Sequence, residues 1–239
     1  MKITIIEVGR VPSAVQSRFD PFPQMFRSMF EESGLPFSFD VVHVLDGQDL
    51  PDPAGLEGIV ITGSPAGVYE DHAWLEPLRA FIRAAYAAET PMVGICFGHQ
   101  IMADALGGVV EKSDKGWGLG RHSYQVVGRP DFLADAPETL NLVCSHQDQV
   151  IVPPDAAEVI MASEFTPNAG LAYRNGKAIS FQPHPEFSDE FTQALIALRK
   201  GSVSEAVVES AMASFVARSD SSLVRGYIAQ FMRSAARHQ

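Results

Sequence analysis

In the first 106 residues, four short apolar runs interleave with three helical stretches, and this order constrains the fold more than any other feature. The runs are residues 2–8 (KITIIEV), 39–45 (FDVVHVL), 58–62 (GIVIT) and 91–95 (PMVGI). Residues 23–33 read as a helix closed by Gly34, residues 74–88 as a helix rich in Ala, Leu and Arg, and residues 98–106 as a helix stopped by Gly107 and Gly108. Strands alternating with helices pack as a parallel sheet with helices on both faces. The runs are nearly continuous in apolar residues, as strands buried on both sides require.

The pattern changes after Gly108. Residues 109–111, 121–127, 140–145, 158–162, 170–174 and 177–181 are strand-like, and Asn175-Gly176 is a hairpin signal. From Asp189 the periodicity turns helical, over residues 189–200, roughly 203–217 and 221–236. Phe215, Val216, Leu223, Ile228, Phe231 and Met232 recur at helical spacing and are expected to pack on the sheet. The predicted architecture is α/β: a doubly wound, mainly parallel sheet with a β-rich second half and C-terminal helices. Residues 1–190 form one domain in this reading, and residues 191–239 form a helical extension packed on it.

Composition narrows the function. The chain of 239 residues carries 18 Lys plus Arg against 29 Asp plus Glu, a formal charge of −11, with no basic cluster. That balance argues against a nucleic-acid partner. No stretch approaches the roughly 18 to 20 apolar residues of a membrane span, and MKITIIEVG reads as a first strand, not a secretory signal. Two cysteines, Cys96 and Cys144, are too few for a disulfide framework and lack the spacing of a zinc site. A reducing, cytoplasmic setting fits.

Cys96 is the informative one. It lies in Gly94-Ile95-Cys96-Phe97-Gly98, between a buried strand and a helix, with glycines at −2 and +2. This is the G-x-S-x-G nucleophile turn with Cys for Ser. The turn lifts the sulfur out at the carboxyl edge of the sheet, where ligands bind in such folds, and the helix N-terminus beneath it favours a thiolate. A free cysteine is more commonly a small core residue. Cys144, in Leu142-Val143-Cys144-Ser145 with no glycine frame, fits that description.

A thiol nucleophile needs a base, and the base needs an orienting group. His184 stands in Gln182-Pro183-His184-Pro185-Glu186, just after a predicted strand. Prolines hold their neighbours extended, and residues two apart in an extended segment point the same way. Glu186 is thus expected to reach the imidazole of His184.

At this point a resemblance is evident. GICFGHQ and QPHPE resemble the two signature motifs of the class I glutamine amidotransferases, and Ile61-Thr62-Gly63-Ser64-Pro65 resembles a third turn that usually reads Gly-Gly-Pro. Ser145-His146-Gln147-Asp148 and the stretch Lys115-Gly116-Trp117-Gly118-Leu119-Gly120 resemble segments of the GMP-synthase type and its free-standing, γ-glutamyl peptidase-like members. The motifs span residues 1–190 in family order. The resemblance implies a flavodoxin-like sheet, Cys96 as nucleophile, His184 as base and acid, and Glu186 as orienter. It places an oxyanion hole at the backbone N–H groups of Phe97 and the Gly63-Ser64 turn. Gln100, Ser145, His146 and Gln147 resemble positions that hold the amino-acid end of the substrate. Where Gly is replaced by Ser64, the hydroxyl must point away for the backbone to serve.

No G-x-x-x-x-G-K-[ST] loop or other Gly-rich nucleotide site occurs, so no cofactor is expected. Glu70-Asp71-His72 are adjacent and cannot converge on one metal ion. His43 and His99 read as structural histidines, and Trp117 suits either a lid or a surface anchor. The expected reaction is cleavage of a γ-glutamyl amide through a cysteinyl thioester, releasing glutamate and ammonia or an amine. The chain has no room for an ATP-using synthetase domain, so the ammonia passes to a synthetase partner or is simply released, the latter being favoured. A homodimer through the C-terminal helices is a further partner reading. The alternative is a non-catalytic small-molecule sensor on the same fold. An open pocket beside Cys96 would admit a γ-glutamyl peptide; a closed one would admit only the free amino acid.

Overall fold

Lys2–Glu7 (β1) has five consecutive buried residues after the first, the signature of a strand covered on both faces. In the computed structural model, which describes residues 1–236, β1 lies in a nine-stranded sheet. The other elements in chain order are Phe22–Glu31 (α1), Ser38–His43 (β2), Ile59–Ile61 (β3), Leu75–Ala87 (α2), Met92–Ile95 (β4) and Phe97–Ala105 (α3). Then come Val109–Lys112 (β5), Gly118–Val126 (β6), Thr139–His146 (β7), Asp148–Val152 (β8), Ala157–Ala162 (β9), Gly170–Tyr173 (β10) and Ala178–Phe181 (β11). Asp189–Leu198 (α4), Glu205–Ala213 (α5) and Ser221–Ala236 (α6) complete the described chain.

The sheet order is β2-β1-β3-β4-β11-β10-β9-β6-β7. Pairs from β2 through β11 are parallel, and the pairs beyond are antiparallel. β5 and β8 form a separate two-stranded ribbon. The mainly parallel first half and β-rich second half are as the sequence predicts, and Asn175-Gly176 does join the antiparallel pair β10–β11.

Side chains alternate across the parallel strands, so each face gets its own core. On one face Ile3, Ile5 and Val60 meet Phe26, Met29 and Phe30 of α1 and Tyr227, Ile228, Phe231 and Met232 of α6. On the other, Ile6, Ile59 and Ile61 meet Leu78 and Ile82 of α2 and Phe97, Ile101 and Met102 of α3. The sheet is therefore doubly wound. α4 and α5 cover the antiparallel half, with Phe191 and Ala194 near Val143 and with Ile196, Val208 and Ala211 around Leu119.

Two expectations change. β8 is a strand that periodicity does not pick out, because DQVIV follows directly on the Ser145–Gln147 motif with no turn signal between. The apolar stripe of the C-terminal helices is also only partly buried: Val216 is 95% exposed and Leu223 41%. α5 ends at Ala213 and a short 3-10 turn, Ser214–Val216, breaks the helical phase, while Val224 and Tyr227 take the inward positions of α6. Among the described residues no helix is long and apolar enough to cross a membrane.

Candidate active site

One residue, Cys96, separates β4 from α3. Its φ of 54° and ψ of −104° lie where side-chain-bearing residues seldom go, a cost of about 1–3 kcal/mol that its neighbours must offset. Its N–H donates to Phe181 O at 2.8 Å and its carbonyl accepts from Gln100 N at 3.0 Å, fixing the turn between β11 and α3. The flanking glycines are there because nothing larger fits. A Cβ on Gly94 would stand 2.5 Å from Gly98 O, and one on Gly98 only 2.3 Å from Ile61 O. Phe97, Gly98, His99 and Gln100 fill the first turn of α3, whose N-terminal positive end faces the sulfur.

His184 follows β11 and is pinned by its backbone N–H to Val143 O at 2.9 Å. Its ring lies flat on Phe187, centroids 3.9 Å apart and planes 6° from parallel. Nδ1 donates to Oε1 of Glu186 at 2.7 Å, so Nε2 is the nitrogen left for a partner on the other side. Burial alone would push the imidazole pKa down. The Glu186 carboxylate, joined by Cys96, outweighs it and holds His184 up at about 10. That pairing favours the charged form of the ring beside the sulfur. Pro185, between the two, is gripped from behind: Arg225 of α6 donates Nε to Pro185 O at 2.6 Å and Nη1 to both oxygens of Glu32 at 2.6 and 2.7 Å.

The turn after β3 closes the arrangement. A Cβ on Gly63 would lie 3.2 Å from Cε1 of His184 and 3.7 Å from Cβ of Cys96, so the absence of a side chain here leaves the space between the two residues open. Gly9, which the sequence did not single out, makes room for it: a Cβ there would stand 2.3 Å from Gly63 O. Ser64 folds its hydroxyl onto its own turn, where Oγ accepts from Ala66 N at 3.2 Å.

Two cavities meet at Cys96, and both include Ser64, Pro65, Ser145 and Arg199. The smaller, about 130 Å³, is polar; Gln100, Gln147, His146, Asp148, Tyr69, Lys112 and Trp117 line it. The larger, about 280 Å³, is mostly apolar, with Pro12, Phe22, Phe187, Leu195 and Leu198, and it alone includes His184. Glu186 lines neither; it lies behind His184 on a separate cavity with Glu32 and Arg225. Gln100 reaches the polar cavity with its amide N–H groups already given to Asp148 O at 2.8 Å and Gln182 Oε1 at 3.1 Å. His146 is buried, with its Nδ1 3.2 Å from Asp148 O, and desolvation lowers its pKa to about 3.

The remaining candidates fall outside the site. His99 points away, with Nδ1 2.8 Å from Ser180 Oγ, and burial lowers its pKa to about 3. His43 pairs with Glu7, and His72 with Glu70 at 2.8 Å. Cys144 is wholly buried, and desolvation pushes its thiol up to about 12. Cys96 keeps 6% of its surface exposed, at the point where the cavities join.

Known proteins resemble this chain. A glutamine amidotransferase from Thermotoga maritima, solved as a crystal structure, superposes with a TM-score of 0.75 over 98% of this chain and 97% of its own, at 22% identity, which establishes the fold alone. Gamma-glutamyl peptidase 2 of Arabidopsis thaliana is 29% identical over 188 residues, 76% of this chain and 74% of its own. The glutamine-hydrolyzing GMP synthase of Aquifex aeolicus is 35% identical over 129 residues, 54% of this chain and 24% of its own. The sequence profile described as glutamine amidotransferase class-I matches residues 25–198. The chain belongs to the class I glutamine amidotransferase family.

Proposed function

We propose that this protein hydrolyses a γ-glutamyl amide, most simply glutamine, through a thioester on Cys96. The observation that carries the reading is that Cys96 and His184 line one cavity on either side of Gly63, where a Cβ would stand 3.2 Å from the imidazole and 3.7 Å from Cβ of the cysteine. The thiolate attacks the γ-carbonyl carbon and forms the C–S bond. Backbone N–H groups of Phe97 and of Gly63-Ser64 receive the charge on oxygen, the kind of contact usually worth a few kcal/mol. His184, protonated and steered by Glu186, gives its Nε2 proton to the departing nitrogen as the C–N bond breaks. It then takes a proton from water, which cleaves the thioester to glutamate. Gln100, Ser145, His146 and Gln147 hold the glutamyl end.

Residues 1–190 carry this chemistry, and the described residues from 191 to 236 form a helical extension packed on the same body. The GMP-synthase relative is consistent with ammonia delivery to a synthetase, and a homodimer is a second partner reading; hydrolysis without an obligatory partner is the form we favour. A free nucleophilic thiol suits a reducing compartment such as the cytoplasm. The test is glutamate release from glutamine and from a γ-glutamyl dipeptide by wild type and Cys96→Ala. Turnover by wild type alone supports the reading. Equal inertness of the two favours a binding protein instead.

A further inference from the structure

If the chemistry above holds, the two cavities divide the substrate between them. His184 must deliver its proton to the leaving nitrogen, and His184 lines only the apolar cavity. The leaving group therefore departs into the space bounded by Pro12, Phe22, Phe187, Leu195 and Leu198, and the glutamyl end occupies the polar side with Gln100 and Gln147. That space, about 280 Å³, far exceeds what ammonia fills, a molecule close to the roughly 30 Å³ of one water in the liquid. Walls of Phe and Leu give ammonia nothing to bind, but they match an apolar side chain.

The rim carries a cation. Arg199, the residue after α4, sits where the cavities join, its guanidinium carbon 3.8 Å from the centre of the Trp117 ring. Stacking on Trp117 fixes the guanidinium plane and leaves its N–H edges free to donate. Among the described residues no carboxylate lies within ion-pair distance of Arg199. The other arginine of the apolar cavity, Arg10, is already paired with Asp46.

We propose that Arg199 is a specificity-determining residue that binds the carboxylate of the leaving group. The preferred substrate is then a γ-glutamyl derivative of an α-amino acid with an apolar side chain, not glutamine. The C–N bond breaks as the Nε2 proton moves to nitrogen, and the free apolar amino acid leaves through the Phe22–Leu198 side. Water then releases glutamate from the sulfur.

Four substrates test this with wild type, Arg199→Met and Arg199→Lys: glutamine, γ-glutamyl-leucine, γ-glutamyl-leucinamide and γ-glutamyl-alanine. For wild type, γ-glutamyl-leucine should exceed glutamine and γ-glutamyl-alanine in kcat/KM by about tenfold or more. It should exceed its own amide by about tenfold to a hundredfold, as for a charge-assisted contact. Arg199→Met should bring that acid-to-amide ratio close to one, mainly through KM, and Arg199→Lys should restore part of it. Glutamine as the best substrate, or an acid-to-amide ratio that survives Arg199→Met, overturns the proposal while leaving γ-glutamyl hydrolysis standing. An equal loss on acid, amide and glutamine would assign Arg199 to the glutamyl carboxylate and overturn it too. If wild type turns over none of the four, the hydrolase reading falls and this proposal with it.

Discussion

Nδ1 of His184 lies 2.7 Å from Oε1 of Glu186, two residues on and brought back by a turn at Pro185-Glu186, with both side chains buried. Without the carboxylate, the pull of burial toward the neutral ring would be opposed by Cys96 alone. Glu186→Gln keeps the shape but can present the wrong tautomer. We expect kcat for glutamate release to fall by about 10³- to 10⁴-fold, in line with the loss seen when a buried orienting carboxylate is neutralised. A fall of less than threefold would remove Glu186 from the mechanism.

Buried histidines make stability depend on pH in two opposite directions. His99 and His146 have folded pKa values lowered to about 3, so between pH 6.5 and 3 only the unfolded chain binds their protons. Stability should therefore fall on acidification through that window, by about 1.4 kcal/mol per pH unit for each histidine at most. His184, raised to about 10, behaves oppositely: its contribution is complete below about pH 6.5 and is lost as pH rises through 10. Urea unfolding at pH 7 and pH 4.5 for wild type and His99→Gln tests the acid limb. The variant should show the shallower loss; parallel losses would mean that His99 is not kept neutral by the fold.

The two cysteines should separate activity from stability. A glutamine-like chloroketone is expected to alkylate Cys96, which opens on both cavities, and to leave Cys144 untouched. Cys144→Ser puts a hydroxyl into a fully buried site and should cost about 1–3 kcal/mol of stability with kcat nearly unchanged. Peptide mapping of the labelled protein and a denaturant titration read the two effects. Label found on Cys144 would reverse the assignment.

Two glycine-to-alanine changes should likewise part company. At Gly98 the new methyl meets backbone, Ile61 O at 2.3 Å, so neither partner can move cheaply and a loss of about 3 kcal/mol or more is expected. At Gly63 it would lie 3.2 Å from His184 Cε1, so Gly63→Ala should leave the melting temperature within a few degrees yet cut kcat by about tenfold or more. Full activity in Gly63→Ala would show that the turn does not set the placement of the imidazole.

The elements that local pattern specifies were the ones readable in advance. Apolar runs bounded by Gly or Pro announced β1, β3 and β4, and the glycines around Cys96 announced a turn whose φ of 54° the structure displays. The pairing of His184 with Glu186 likewise needs only nearby residues, although a turn at Pro185-Glu186, not the expected extended backbone, brings the carboxylate to the ring. What could not be read depends on chain segments far apart. Gly9 matters because its backbone meets Gly63, and Arg199 because α4 brings it over Trp117, 82 positions earlier by residue number (199 − 117). β8 was missed for a different reason: its β-branched residues adjoin a motif read for chemistry, with no Gly or Pro to mark the change.

Arg225 makes the last described helix part of the machinery it covers. Its side chain ties the carbonyl of Pro185 to Glu32, just past the neighbouring α1, so the backbone joining His184 to Glu186 is anchored from behind the site. Clipping the chain ahead of Ser221, or burdening its tail with a bulky fusion, would slacken that anchorage as well as uncover the sheet. Damage at the far terminus would then surface as a slower reaction in a pocket it never enters.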